Sequence, residues 1–275
     1  KKETVILLHG LPGNERSLDL AQELRRNGNN VIYFNYRGSW GSQGEFLYSN
    51  CIEDVKEVMD FFDEPKNSTK YRVKSKSYIL FGHSMGGCIG LRYLLRETNI
   101  NCAIFSGPLW GLPVSEFTRS ILIPIFNLAI SLGLGLLTYP YKTDGFHIIN
   151  KPFAKNILTR NLAAYQEMRE NLLIDPRLGL GPPTLSWLVT LNTELKALAK
   201  MPPPDIPQLT LVGEEDKVVS KDAILTRMAR TPKGHLHMVP GAYHEIFLET
   251  KEVQEDVWQK VDEFLETNLG EETSQ

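Results

Sequence analysis

Ser84 lies in Gly82-His83-Ser84-Met85-Gly86, with Gly87 directly after it, between an apolar run (SYILF, 77–81) and a helix-periodic run (CIGLRYLLRE, 88–97). A hydroxyl in that setting is placed for nucleophilic attack. A sharp, strained passage from strand to helix lifts the side chain above the sheet edge, and residues two before and two after crowd the turn, which favours glycine there. The helix N-terminus behind the serine also favours developing negative charge. The bland alternative is a tight turn that merely contains a serine.

A serine hydroxyl is a weak nucleophile and needs a base that is itself held by an acid. Both have candidates farther along the chain, each just past a buried apolar run. LTLVGEEDKVVS offers Asp216, with Glu214 and Glu215 as rivals, and MVPGAYHEIFLE offers His244. Asp216 follows its run at the distance a loop needs, and Val218-Val219 can seat it. Of the six histidines, His83 adjoins the serine but should leave the backbone in another direction and is read as packing. His9 buttresses the first loop, and His147 lies in a helical insertion. His235 and His237 share a strand face, where a metal pair is conceivable but ordinary packing is the simpler reading. His244 alone has the loop setting expected of the base. Acyl transfer also needs two backbone donors aimed at the oxyanion. Met85, immediately after the serine, supplies one, and Leu11 in His9-Gly10-Leu11-Pro12-Gly13 the other. No metal or organic cofactor enters this chemistry.

These residues must be held by a scaffold. Strand-like runs at 4–8, 31–36, 77–81, 101–107, 208–213 and 235–239 alternate with amphipathic helical stretches, including 17–26, 52–62, 88–97, 221–230 and 251–268. Such alternation implies a mostly parallel sheet flanked by helices on right-handed crossovers. The alternation pauses between about 109 and 207 in a Pro- and Gly-containing, mostly helical stretch. The expected organisation is therefore an α/β core from residues 1–108 and 207–275, with a helical cap, 109–206, inserted. With 275 residues, 42% hydrophobic and 23% charged, the chain can fill such a core. A net charge of −3 gives no basic face for nucleic acid. Three cysteines without Cys-x-x-Cys spacing argue against a disulfide framework or zinc site and fit a reducing, cytoplasmic setting. The opening apolar run breaks at His9-Gly10, too early for a signal peptide.

Taken together, HGLPG, GHSMGG, GEEDKVV and GAYHEIFLE resemble the oxyanion loop, nucleophile, acid and base segments of the α/β-hydrolase superfamily, and the resemblance runs along nearly the whole chain. Within it, residues 156–188, with their ILTRN and GPPTLSWL runs, are similar to the cap of bacterial lysophospholipases, which are related to monoacylglycerol lipases. That resemblance implies hydrolysis of an acyl ester of a glycerolipid, with a small-molecule lipid substrate as partner. NYRGSWGSQGEF (35–46), with Asn35-Tyr36 where those lipases carry Asp before Arg-Gly, looks more like other small serine hydrolases and peptidase-like members. A serine peptidase, in which Glu167, Glu170 or Asp175 would hold a free amine, and a general carboxylesterase therefore stand as alternatives. A non-catalytic binding module on the same fold is a further one.

SILIPIFNLAISLGLGLLTYPY, from Ser120 to Tyr141, carries no charge. Its length alone would admit a membrane span. Pro124, Asn127, Gly133 and Gly135, and its place inside a cap, favour a lid helix over an acyl-chain pocket. Peripheral docking to a membrane surface ranks second and a span last.

Overall fold

A computed structural model describes residues 3–10, 17–96, 99–139, 145–179 and 181–269, with the backbone alone for 145–147. Its frame is a six-stranded sheet in which every neighbouring pair runs parallel, in the order β2-β1-β3-β4-β5-β6. The strands are β1 (Thr4–Leu8), β2 (Asn30–Tyr33), β3 (Tyr78–His83), β4 (Ile100–Ser106), β5 (Gln208–Gly213) and β6 (Gly234–Val239). The inner ones are apolar almost throughout, because a parallel sheet is covered on both faces.

Successive side chains then serve opposite layers. Ile6, Leu8, Leu80, Phe105 and Val212 pack with α2 (Tyr48–Asp63), α4 (Met85–Leu94) and α9 (Lys221–Met228). Val5, Leu7, Ile79, Phe81, Ile104 and Leu211 pack with α1 (Leu18–Arg26) and α10 (Lys251–Leu269). The chain departs from β1 toward β2 and returns past it to β3. Ligands in open α/β sheets bind at the carboxyl ends of strands beside such a reversal. Here those ends belong to β1 and β3, and the second carries Ser84.

The stretch between β4 and β5 holds α5 (Glu116–Ser131), α6 (Gly145–Asn150), α7 (Leu162–Ile174) and α8 (Leu185–Lys200), with short 3₁₀ turns at Phe153–Lys155 and Pro176–Leu178. Leu158, Tyr165, Met168, Leu172, Leu191, Leu195 and Leu198 join the same buried layer as α4. The buried Arg227 guanidinium donates to the carbonyls of Leu198 and Met201, closing the open end of α8.

Two local expectations change. Pro65 does not simply stop a helix: α2 ends at Asp63, and Pro65 opens α3 (Pro65–Tyr71), since a proline at the first helical position gives up no hydrogen bond. The uncharged run is not one helix either. α5 ends at Ser131, Gly133 turns the chain with φ +82°, and residues 134–139 lie along 183–186, with Thr138 bridging Thr184. Among the described residues no helix is long and apolar enough to cross a membrane. α5 buries none of its residues, and Phe117, Ile121, Ile125, Leu128 and Leu132 form an exposed apolar ridge along it.

Candidate active site

β3 delivers the backbone directly into Ser84, which has φ +50° and ψ −116°, and α4 begins at the next residue. A positive φ on a residue with a Cβ costs about 1–3 kcal/mol and persists only where its surroundings enforce it. Here the Ser84 N–H donates to the Ser106 carbonyl at 2.9 Å, while the Ser84 carbonyl accepts from Gly87 and Leu109 at 3.0 and 2.9 Å. The flanking glycines make the turn possible by their lack of bulk. A Cβ at Gly82 would stand 2.8 Å from the Gly86 carbonyl oxygen, and one at Gly86 only 2.0 Å from the Leu8 carbonyl oxygen.

The loops after β5 and β6 bring two more side chains to the serine. Asp216 and His244 are both buried, and His244 Nδ1 lies 2.8 Å from Asp216 Oδ2. On the other side of the ring, His244 Nε2 is 3.2 Å from Ser84 Oγ. The remaining Asp216 oxygen, Oδ1, accepts the N–H groups of Val218 at 2.7 Å and Val219 at 3.2 Å. Burial pushes the Asp216 carboxyl up, but the His244 imidazole and those two amides outweigh it and hold the group below the usual carboxylate range. Glu214 and Glu215 stay exposed, and Glu214 accepts instead from the Gly241 N–H. The His244 ring rests on Gly107, which has φ +47° and where a Cβ would stand 3.1 Å from ring atoms Cε1 and Nδ1.

Met85 is the first residue of α4, so its N–H has no intrahelical acceptor and stands beside Ser84. Leu11, the other expected oxyanion donor, lies outside the described residues, as does the side chain of His147. Gly10, just before Leu11, lies against the serine: a Cβ there would be 3.2 Å from Ser84 Cβ. His9, fully buried, packs its ring on Tyr36 and Trp40 at 4.4 and 4.8 Å.

The other histidines have distinct settings. His235 packs edge-on to Phe264, and His237 lies 2.8 Å from the Asp256 carboxylate, both on α10. His83 does more than pack, contrary to the sequence reading. Its Nδ1 is 3.2 Å from Ser106 Oγ, its Nε2 is 3.1 Å from Glu245 Oε2, and its ring centre is 5.3 Å from that of His244. Nothing local to either position foretells the pairing. The signal is relational: one residue precedes the serine and the other follows the histidine. Ligand atoms of His83, His244 and Glu245 also lie within 4.8 Å of one another, the one cluster among the described residues with the makings of a metal site. His83 and His244 already have both ring nitrogens engaged by protein partners.

Of the acids considered for holding an amine, Glu167 and Glu170 are exposed, and Asp175 is paired with Arg177 at 2.8 Å. Trp187 and Phe153 are half-buried against the core layer. A cleft of about 1010 Å³ opens between α1, α7 and α10. Its wall includes Glu167, His83 and Glu245 but not Ser84, Asp216 or His244.

An imidazole that touches a hydroxyl on one nitrogen and a buried carboxylate on the other is the arrangement that lets a serine be deprotonated on demand. Comparison with known proteins agrees with this scaffold. The chain is 25% identical over 268 residues to the probable lysophospholipase L2 of Haemophilus influenzae, spanning 96% of this chain and 84% of that one. It is 29% identical over 253 residues to lysophospholipase L2 of Escherichia coli K12, spanning 84% and 70%. A soluble variant of monoglyceride lipase from Saccharomyces cerevisiae superposes with a TM-score of 0.74 at 20% identity, over 97% of this chain and 87% of that one. The monoacylglycerol lipase of Paleococcus ferrophilus gives 0.71 at 20% identity, over 95% and 93%. The family described as Serine aminopeptidase, S33 matches residues 1–251, and the chain belongs to it, with the α/β-hydrolase fold.

Proposed function

We propose that this carboxylic ester hydrolase cleaves acyl esters of lysophospholipids or monoacylglycerols through an acyl-enzyme on Ser84. His244 Nε2 takes the Ser84 proton as Oγ attacks the acyl carbonyl carbon. The carbonyl oxygen becomes an oxyanion held by the N–H groups of Met85 and Leu11. Asp216 keeps the imidazole in the tautomer whose Nε2 can accept, and stabilises the imidazolium once formed. As the intermediate collapses, the ester C–O bond breaks and His244 returns the proton to the departing alcohol. Water, deprotonated by His244, then attacks the acyl carbon, and the fatty acid leaves as Ser84 regains its proton.

The observation that carries the reading is the unbroken contact from Ser84 Oγ through His244 to Asp216, at 3.2 and 2.8 Å. For the substrate class, support comes from the names of the relatives and from the apolar helical insertion. Residues 109–206 act as a cap on a core formed by 1–108 and 207–275. The exposed ridge of α5 has a natural occupant on this reading, the lipid surface in which such substrates reside.

A second reading is favoured by the family's description: an aminopeptidase that uses the same three residues on an amide. The discriminating experiment labels wild type and Ser84→Ala with a fluorophosphonate, then compares turnover of a lysophospholipid, a monoacylglycerol and an aminoacyl amide. Labelling of wild type alone and turnover of the two lipids is the expected result. Preferential turnover of the amide would move the assignment to the peptidase. A folded wild type that does not label would overturn both.

A further inference from the structure

The reacting contact joins two short segments, the turn at Ser84 and the loop that carries His244. One residue to the outside of each, a second contact joins the same two segments. His83 precedes the serine and Glu245 follows the histidine, and their side chains meet at 3.1 Å with exposures of only 8% and 17%. We propose that His83 and Glu245 are a positioning pair, a latch that ties the base loop to the nucleophile turn and holds His244 in line with Ser84. The proposal rests on the serine-hydrolase reading and deepens it by naming what keeps the base in register.

Each partner is itself anchored. His83 Nδ1 is 3.2 Å from Ser106 Oγ at the end of β4, so the imidazole cannot swing without losing a bond on each nitrogen. Glu245 donates its backbone N–H to the Leu158 carbonyl at 2.8 Å, which fixes the carboxylate end of the latch. Burial pushes the Glu245 carboxyl up, but the adjacent His83 imidazole overrides it and holds the group below the usual carboxylate range. The latch acts through His244, whose ring centre lies 5.3 Å from that of His83.

A loop carrying a general base needs such a tether. Displacement of a catalytic group by about 1 Å can cost on the order of 100-fold in rate. The Ser84–His244 hydrogen bond cannot provide the tether, since it must break and re-form in each half-reaction. A lasting contact beside it can.

The test measures kcat and KM for p-nitrophenyl butyrate on wild type, Glu245→Ala, His83→Ala, the double alanine variant and Glu245→Gln. Rates are normalised to the amount of Ser84 that a fluorophosphonate labels at completion, so misfolded protein is not counted. Glutamine keeps an acceptor for the imidazole N–H and therefore keeps the tether while removing the charge. The expected result is a fall in kcat of about 30- to 100-fold in each alanine variant at nearly unchanged KM. The double variant should be no slower than the singles, and Glu245→Gln should stay within about threefold of wild type. If His83→Ala does not fold, His83→Gln takes its place in the cycle. Glu245→Ala within twofold of wild type would overturn the latch, as would losses that multiply in the double variant. So would a glutamine variant as slow as the alanine one, because charge rather than the tether would then be what His244 needs. Each of those outcomes leaves the hydrolase reading standing, whereas a wild type that neither labels nor turns over removes both.

Discussion

Replacing Asp216 with asparagine isolates the role of the carboxylate with almost no change of shape. Asp216 Oδ1 accepts two backbone N–H groups, from Val218 and Val219 at 2.7 and 3.2 Å, while Oδ2 faces His244 Nδ1 at 2.8 Å. An asparagine has only one accepting atom. The two valine amides claim it, so the NH₂ group must take the place of Oδ2 and donate toward His244. Nδ1 then has to accept, and the single proton of a neutral imidazole moves to Nε2, the nitrogen that faces Ser84 Oγ at 3.2 Å. In that tautomer the ring cannot take the serine proton. The expected loss in kcat is about 10³- to 10⁴-fold, or about 4–5.5 kcal/mol of barrier, with little change in KM. Steady-state hydrolysis of p-nitrophenyl butyrate measures it, with far-UV circular dichroism and thermal unfolding showing that the fold survives. A folded Asp216→Asn enzyme within tenfold of wild type would refute the reasoning, because His244 would then be working without an acceptor fixed at Nδ1.

Gly86→Ala places a Cβ 2.0 Å from the Leu8 carbonyl oxygen and 2.6 Å from that of His9, both backbone atoms. Denaturant unfolding should show a loss of about 3 kcal/mol or more, and a variant as stable as wild type would contradict the close packing of α4 on β1. The Glu245 carboxyl is held down to about 2 by His83 despite burial, below its ordinary value of 4.5, so the stabilisation it brings is present above that ordinary value and lost as pH falls toward the folded one. The difference in Tm between wild type and Glu245→Gln should therefore narrow between about pH 4.5 and pH 2, and a constant difference across that window would argue against an ionised Glu245. Ile125 and Leu128 are 54% and 62% exposed on α5, and changing both to aspartate should abolish co-sedimentation with phosphatidylcholine vesicles while leaving turnover of a short soluble ester unchanged. Undiminished vesicle binding would leave the ridge without the lipid role assigned to it.

How far the sequence reveals this arrangement depends on how local the encoding is. The turn at Ser84 is legible because its constraints are steric and fall within five residues: nothing larger than hydrogen fits at 82 or 86. The inner strands are legible because both sheet faces are covered and the runs are apolar almost throughout. Three neighbouring acids at 214–216 share one composition and one loop, and what separates them is direction. Asp216 turns inward onto the amides of Val218 and Val219, while Glu214 and Glu215 remain in solvent. Proline at 65 has two meanings, a stop for one helix and a start for the next, and only the fold chooses between them. The break in the uncharged run at Gly133 is similar, since glycine is permitted in a helix but here takes a positive φ.

The contacts that hold the base loop are the least legible, because they cross the chain between residues with no common pattern. Glu249, fully buried, accepts from the Tyr243 N–H at 2.8 Å and from the Arg160 N–H at 2.9 Å. Thr159 Oγ1 donates to the Leu248 carbonyl, and the Glu245 N–H to Leu158, both at 2.8 Å. Residues 158–160 belong to the helical insertion by sequence, yet they are bonded to the loop that presents His244. A buried carboxylate that accepts two backbone amides is costly to disturb, because each amide would be left unpaired away from water. That edge of the insertion is thus part of the support for the loop that carries His244. At that edge the insertion and the loop that presents His244 are joined by these bonds, whereas α5, in the same insertion, buries no residue.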